Sequence, residues 1–286
     1  MRVVHVGNYI TESSIGVDKT VAGLMSWLPQ YGVEVEAWHF TTKVDTVRER
    51  SVDSMQIFDI PAYRRPWNFL LKLTPAARNF VQQRQQVIDL MHLHSVFMPH
   101  NIELAAILRR PYIVTPHGGY SSRVLQGKNL RNRWFKAAWL QLQEQAYIRK
   151  ASLIHAVSQS ESEQLEKLFD NVMVKTIPNA INPLKNLSSS VDIPQKKNLL
   201  FLGRLAMDHK GLDRLLQGYS LFIKNTGDRE THLILAGPDY RGDKDLLNKL
   251  VSSLGMSDRV SFPGPVFGED KWILLKSAYA FVQTSR

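Results

Sequence analysis

The chain has 286 residues, 44% hydrophobic and 22% charged, with a formal net charge of +10 and no cysteine. At roughly 100–200 residues per domain, this length predicts two domains with real cores and excludes wholesale disorder. The lack of cysteine excludes disulfide scaffolds, thiolate zinc sites and cysteine nucleophiles. No stretch reaches the ~18 apolar residues of a membrane span, and the opening MRVVHVGNYITESS reads as a strand and polar loop, not a signal peptide. A soluble, cytoplasmic protein is expected.

Short β-branched runs predict strands over 2–7, 33–40, 55–60, 89–94, 112–115, 153–157 and 174–177. Val17, Val21, Leu24, Met25 and Leu28 mark one helix face, and 75–87, 101–108, 130–150 and 159–169 carry the same periodicity. Strands alternating with helices predict an α/β class with a parallel sheet covered on both faces. The alternation lapses between Asn179 and Lys197, where prolines and a serine triplet make 184–197 the linker. It restarts with strands over 198–202, 232–236, 259–262 and 280–283 and helices over 211–224, 244–254 and 269–277. The domains expected are therefore 1–183 and 198–286. The final strand runs into Ser285-Arg286 with no helix after it to cover it, so the second domain is expected to be incomplete.

The charge is concentrated. Residues 60–150 hold fourteen Lys or Arg against three Asp or Glu, mostly as Arg64, Arg65, Lys72, Arg78 and Arg84, then Arg123, Lys128, Arg131, Arg133 and Lys136. Trp67, Phe69, Leu70, Leu71, Trp134, Phe135 and Trp139 are interleaved with them. This mixture suits an anionic membrane surface and equally a solvated basic face over an ordinary core. No recognition motif accompanies the charge, so nucleic acid is not expected as a partner.

Phe201-Leu202-Gly203-Arg204-Leu205, followed by Lys210-Gly211, is a strand, a loop and a helix start. Arg204 and Lys210 then stand at the C-terminal sheet edge, beside a helix N-terminus that favours anions. A guanidinium fork and an ammonium suit a pyrophosphate; two surface cations in a loop are the plain alternative. His92 and His94 share a strand face with His117 nearby, but no carboxylate or further histidine lies at metal-ligand spacing. Asp243-Lys244-Asp245 opens a helix and reads as capping rather than a metal clamp. There is no G-x-S-x-G elbow, G-x-G-x-x-G turn or Walker A segment, which sets aside hydrolase and hydride-transfer readings.

The run GRLAMDHKGLDRLL resembles the G-R-L-x-x-x-K-G-x-x-x-L-L signature of family-4 retaining glycosyltransferases with the GT-B fold. Other pieces follow in that family's order: Asp89-Leu90-Met91-His92-Leu93-His94, Thr115-Pro116-His117-Gly118, Ile177-Pro178-Asn179-Ala180-Ile181, Leu235-Ala236-Gly237 and Val260-Ser261-Phe262-Pro263-Gly264. The resemblance implies two Rossmann-like lobes, an acceptor lobe and a truncated nucleotide-sugar lobe. It implies transfer of a sugar from a nucleoside-diphosphate sugar to an acceptor hydroxyl of a glycan or lipid-linked precursor, with retention and without metal or other cofactor. Arg204 and Lys210 match the donor-phosphate pair, His117 the catalytic-centre histidine near the donor sugar, Gly16 the glycine-rich loop and Val266 the main chain that meets the base. The family's two later glutamates have no counterpart before Arg286, so the 286 residues are expected to be inactive or impaired. A nucleotide-sugar epimerase of the same fold and a non-catalytic binding module remain as alternatives. A polysaccharide pathway at the inner face of a membrane is the setting implied.

Overall fold

The computed structural model describes residues 1–7, 16–52, 55–63, 73–121, 124–125, 130–180 and 197–285, the side chains of 130–132 excepted. The contacts divide it into two units, Met1–Asn182 and Pro183–Arg286. Most of the proposed linker, the loop before Gly16 and much of the basic aromatic stretch (Arg64, Arg65, Trp67, Phe69, Leu70, Leu71, Lys72, Arg123 and Lys128) lie outside the described residues.

The first unit is built on strands β1 (Arg2–Val6), β2 (Glu34–Thr41), β3 (Arg48–Val52), β4 (Met55–Pro61), β5 (Leu90–His94), β6 (Tyr112–Thr115), β7 (Leu153–Ala156) and β8 (Val174–Thr176). They form one sheet in the order β3-β4-β2-β1-β5-β6-β7-β8. All neighbours are parallel except β3, which pairs antiparallel with β4. The expectation of a purely parallel sheet is corrected at this edge. Arg-Glu-Arg-Ser-Val carries neither the apolar run nor the alternation that marks the other strands.

Side chains alternate across a strand, and the two faces of this sheet differ in chemistry. Val4, Val6, Trp38, Phe58, Ile60, Met91, Leu93, Val114, Ile154 and Ala156 join one large core with Ala77 and Val81 of the helix Pro75–Arg84. Burying each such aliphatic or aromatic chain is worth about 1.5–3 kcal/mol. Thr74 caps that helix by accepting from the Ala77 N–H at 3.1 Å. At its other end Arg84 donates at 2.7 Å to Glu36, which is buried on β2 and also accepts from Trp38 Nε1. On the opposite face, Val21, Ala22 and Met25 of the helix Gly16–Trp27 pack on Ala37 and Ile57. The expected helix over 130–150 is interrupted, with α-helix at Leu130–Trp139, a π turn at Leu140–Glu144 and α-helix again at Gln145–Arg149.

The second unit has strands β9 (Asn198–Leu202), β10 (His232–Ala236), β11 (Val260–Gly264) and β12 (Ala280–Phe281) in the parallel order β11-β10-β9-β12. The helix Leu212–Thr226 buries Leu212, Leu215, Leu216 and Tyr219 against Phe201, Leu233 and Leu235. In both sheets the first strand of the unit is flanked on one side by the second and on the other by a later strand. Each sheet therefore has a switch point, β1/β5 in the first and β9/β12 in the second, where open α/β sheets bind ligands beyond the strand ends.

Two glycines join the C-terminal ends of β9, β10 and β11. Gly203 N–H donates to Ala236 O at 2.9 Å and Gly237 N–H to Gly264 O at 2.8 Å. Gly237 has φ +150°, and a Cβ there would run into the Gly203 carbonyl. Gly237→Ala should destabilise the second unit by at least about 2 kcal/mol, through both clash and strain. Thermal unfolding followed by circular dichroism measures it, and an unchanged transition would mean that the two strand ends separate freely.

Candidate functional site

At the first switch point, strand register places a ridge of polar side chains on the face opposite the main core. His5 is level with Ala37 on one side and His92 on the other, and His94 is level with Thr115. His155 lies on the same face of β7. All four histidines and Thr115 are buried. The sequence grouped His92 and His94 with His117 but showed no carboxylate or further histidine at ligand spacing. His5 and His155 correct that reading, since neighbours brought together by register are not visible as spacing along the chain.

The ridge is held by hydrogen bonds from ring to ring. His5 Nδ1 and His94 Nε2 are 3.1 Å apart, and His94 Nδ1 and His117 Nε2 are 3.0 Å apart. Beside this chain, His92 Nε2 meets Thr115 Oγ1 at 2.6 Å, Thr115 Oγ1 meets His155 Nδ1 at 2.9 Å, and His155 Nε2 donates to the Ile177 carbonyl at 2.7 Å. Nitrogens of His5, His92 and His94 lie within 4.8 Å of one another, a set that merits testing as a metal site. The arrangement fits poorly: His94 uses both nitrogens on other rings, His92 spends Nε2 on Thr115, and the His92 and His94 rings stack at 4.0 Å instead of turning lone pairs to a common point.

His117 follows β6 in a tight turn with φ +54°, and Gly118 is also left-handed at +75°. A non-glycine residue held there signals local strain fixed by its surroundings. The fixing group is Glu161, which accepts from the Gly118 N–H at 2.6 Å and the Val157 N–H at 2.8 Å. The segment after β5 is strained as well, at Ser95 (φ +66°) and Phe97 (φ +59°). Glu144, buried in the π turn, holds it by accepting from the Phe97 N–H at 2.9 Å, Trp139 Nε1 at 3.1 Å and the Tyr120 hydroxyl. Burial pushes the Glu144 carboxyl up from its ordinary value, against those three donors. π turns often mark functional regions.

A pocket of about 190 Å³ opens at this switch point, lined by Val6, Gly7, Asp18, His39, His94 and His100 among others. Phe40 stacks on His100 at 4.5 Å. Gly16 opens the helix beside it, and a Cβ there would meet nothing within 4 Å, so packing does not require glycine at that position.

In the second unit, Arg204 follows β9 and is exposed, whereas Lys210 is half-buried. Lys210 closes the one-turn helix Met207–Lys210, where the sequence reading expected a loop. The turn is tied down by Asp243, whose carboxylate accepts from the Met207 N–H at 2.8 Å. Asp243 therefore does not cap its own helix. Asp239 does that work, accepting from the N–H groups of Gly242 and Lys244. The Thr284 hydroxyl, just beyond β12, donates to the Lys210 carbonyl at 2.9 Å, so both sides of the switch point contribute.

Burial, and then the charge of Arg204, hold the Lys210 amine below its ordinary value. No carboxylate among the described residues forms an ion pair with either cation. Arg204 lies instead over the Tyr240 ring at 5.0 Å, with Arg241 over the same ring at 5.1 Å. The sequence reading missed Tyr240 and Arg241. Their position in the loop after the β10 strand end was the available signal. Val266 is half-buried two residues after β11. Arg204, Lys210 and Val266 belong to the second unit, and His117 and Gly16 to the first.

The family model described as Glycosyltransferase Family 4 matches residues 15–184, and that described as Glycosyl transferases group 1 matches 185–286. The chain belongs to glycosyltransferase family 4. A GDP-mannose:cellobiosyl-diphosphopolyprenol alpha-mannosyltransferase of Xanthomonas oryzae pv. oryzae is 23% identical to this family 4 chain over all of it and 73% of the relative. Among solved structures, sucrose-phosphate synthase from Thermosynechococcus elongatus superposes with a TM-score of 0.72 at 18% identity, over 99% of this chain and 75% of that one. Anabaena HepE in complex with UDP and glucose gives 0.70 at 17%, over 100% and 74%. These likenesses establish the GT-B fold, with this chain shorter than its relatives.

The histidine ridge has a consequence for acid stability. Burial is the leading cause that lowers His5, His100 and His117 to about 4, and His92 and His94 well below 6.5. The unfolded chain, with ordinary rings near 6.5, binds more protons than the folded one in the window from about 6.5 down to 4. Stability is thus complete above that window and lost as pH falls through it, at about 1.4 kcal/mol per pH unit for each ring involved. Denaturant unfolding at neutral pH and near pH 5 should show a steep loss, and a flat profile would mean that the rings are solvated.

Proposed function

We propose that the protein is a retaining glycosyltransferase that moves a sugar from a nucleoside-diphosphate sugar to a hydroxyl of a lipid-linked glycan or polysaccharide precursor. The observation that carries this reading is the pair Arg204 and Lys210 at the β9/β12 switch point, two cations with no carboxylate partner among the described residues. Such a pair is equipped to hold an anion with several oxygens. A diphosphate supplies it, and the guanidinium fork and the ammonium then oppose the charge that builds on the leaving phosphate as the glycosidic bond breaks. In this reading the two cations do without a divalent metal. In the same reading Val266 offers main chain to the base, and His117 and Gly16 have donor-side roles. The Xanthomonas relative acts with GDP-mannose on a diphosphopolyprenol-linked sugar, and HepE binds UDP and glucose. A nucleotide-sugar donor and a lipid-linked acceptor follow by likeness.

The first unit's pocket, with Asp18, His39 and His100 among its lining residues, supports an acceptor site there. A lipid-linked acceptor calls for a protein working at the cytoplasmic face of a membrane. No helix among the described residues is long and apolar enough to cross one. Trp134 and Phe135 stand largely exposed on the helix Leu130–Trp139, next to Arg133, and suit shallow insertion among anionic headgroups. Lys136 is engaged within the protein, donating to the Val124 carbonyl at 2.7 Å, and adds less to such a surface.

Two measurements test the reading. Calorimetry with UDP- and GDP-sugars should give one nucleotide that binds, and Arg204→Glu or Lys210→Glu should each weaken it about ten- to a hundredfold, the worth of one charge-assisted contact. Unchanged affinity in both variants would remove the diphosphate from this switch point. Co-sedimentation with anionic vesicles should fall when Trp134 and Phe135 are both replaced by serine; equal binding to neutral vesicles would leave that helix a plain surface.

A further inference from the structure

The two hydrogen-bonded chains of the ridge differ in where they end. The one through Thr115 and His155 stops at a backbone carbonyl, which can only accept. The other runs from His5 through His94 to His117 and stops at the turn proposed to face the sugar.

The direction of this second chain follows from its buried end. Burial keeps the three rings neutral, so each carries a single proton. His5 Nε2 is buried and has no hydrogen-bond partner. A proton there would strand an N–H donor, and buried orphan donors are rarer than under-satisfied acceptors. The His5 proton therefore sits on Nδ1 and is donated to His94 Nε2. His94 must then carry its own proton on Nδ1 and donate it to His117 Nε2. His117, accepting at Nε2, keeps its proton on Nδ1, a nitrogen that makes no hydrogen bond among the described residues.

We propose that His5 and His94 are positioning residues that lock His117 in its Nδ1–H tautomer, so that the ring presents a fixed hydrogen-bond donor to a sugar oxygen. The device is the neutral counterpart of a carboxylate that orients a catalytic imidazole. A carboxylate in the place of His94 would favour a charged ring, whereas a neutral imidazole settles the tautomer and leaves the charge at zero. The rest of the ridge keeps the chain in line: His92 stacks on His94, and Glu161 fixes the turn from the far side of His117. The catalytic consequence rests on the glycosyl-transfer reading, but the tautomer itself does not.

The test is a two-bond proton–nitrogen correlation spectrum of the chain labelled with ¹⁵N at histidine. In the wild type, His117 should show a protonated Nδ1 and an unprotonated Nε2. In His94→Phe it should drift toward the mixture of a free ring. In His94→Asn, whose amide NH₂ takes about the place of the lost Nδ1–H, the wild-type pattern should return. A wild-type His117 protonated at Nε2, or one indifferent to His94→Phe, overturns the proposal. Should His94→Phe fail to fold, the wild-type and His94→Asn spectra decide alone. In protein that turns over a nucleotide sugar, His94→Phe should lower kcat about three- to tenfold with nucleotide affinity unchanged, and His94→Asn should recover it. Absence of turnover with every nucleotide sugar would count against the transfer reading and leave the spectrum to judge the tautomer.

Discussion

Burying imidazole is the constraint around which the first unit is organised. Four histidines and a threonine occupy one face of β1, β5, β6 and β7, where aliphatic side chains would have been the simpler filling. Polar groups removed from water must find partners, and here they find each other. That requirement sets register as firmly as a hydrophobic pattern does. A slip of one residue in β5 would turn His92 and His94 into the apolar core and Leu93 into the ridge. The opposite face is apolar except for Glu36 on β2, and it forms the larger core.

The two units use one topology for opposite electrostatics. In the first, burial keeps the histidine rings beside the switch point neutral, so they offer directed donors and acceptors. In the second, Arg204 and Lys210 form no ion pair with a carboxylate among the described residues, and Arg204 lies on an aromatic face. The aromatic ring steadies the guanidinium without neutralising it, as an aspartate would.

Much of this was legible in the sequence. Every strand but β3 showed as a short apolar run, and Arg204 and Lys210 stood out because a glycine-ended strand precedes them and a glycine-led helix follows. His117 was marked by its neighbours in the T-P-H-G turn. What could not be read was anything that depends on register between distant strands. His5 lies 87 residues before His92 yet sits level with it. Nor does periodicity reveal the π turn, because inserting one residue in a helix leaves the apolar spacing nearly intact while turning Glu144 inward. The role of Asp243 was misread for a related reason. Its carboxylate looked like a local cap, but a nearer competitor, Asp239, satisfied the helix start and freed it for the turn at Met207.

The antiparallel strand β3 has a bearing on how the protein survives at high concentration. An open parallel sheet ends in a row of unpaired backbone groups, and without β3 that row would belong to β4, whose Ile57, Phe58 and Ile60 are buried. The outermost position goes instead to a five-residue strand in which Arg48, Glu49 and Arg50 follow one another. Short, charged edge strands resist pairing with a second molecule, because stacking them brings like charges level. Arg50 also reaches back to Asp59 at 2.9 Å, which fastens the guard strand to the one it protects. The least apolar strand in the unit thereby shields one of its stickiest strands from self-association.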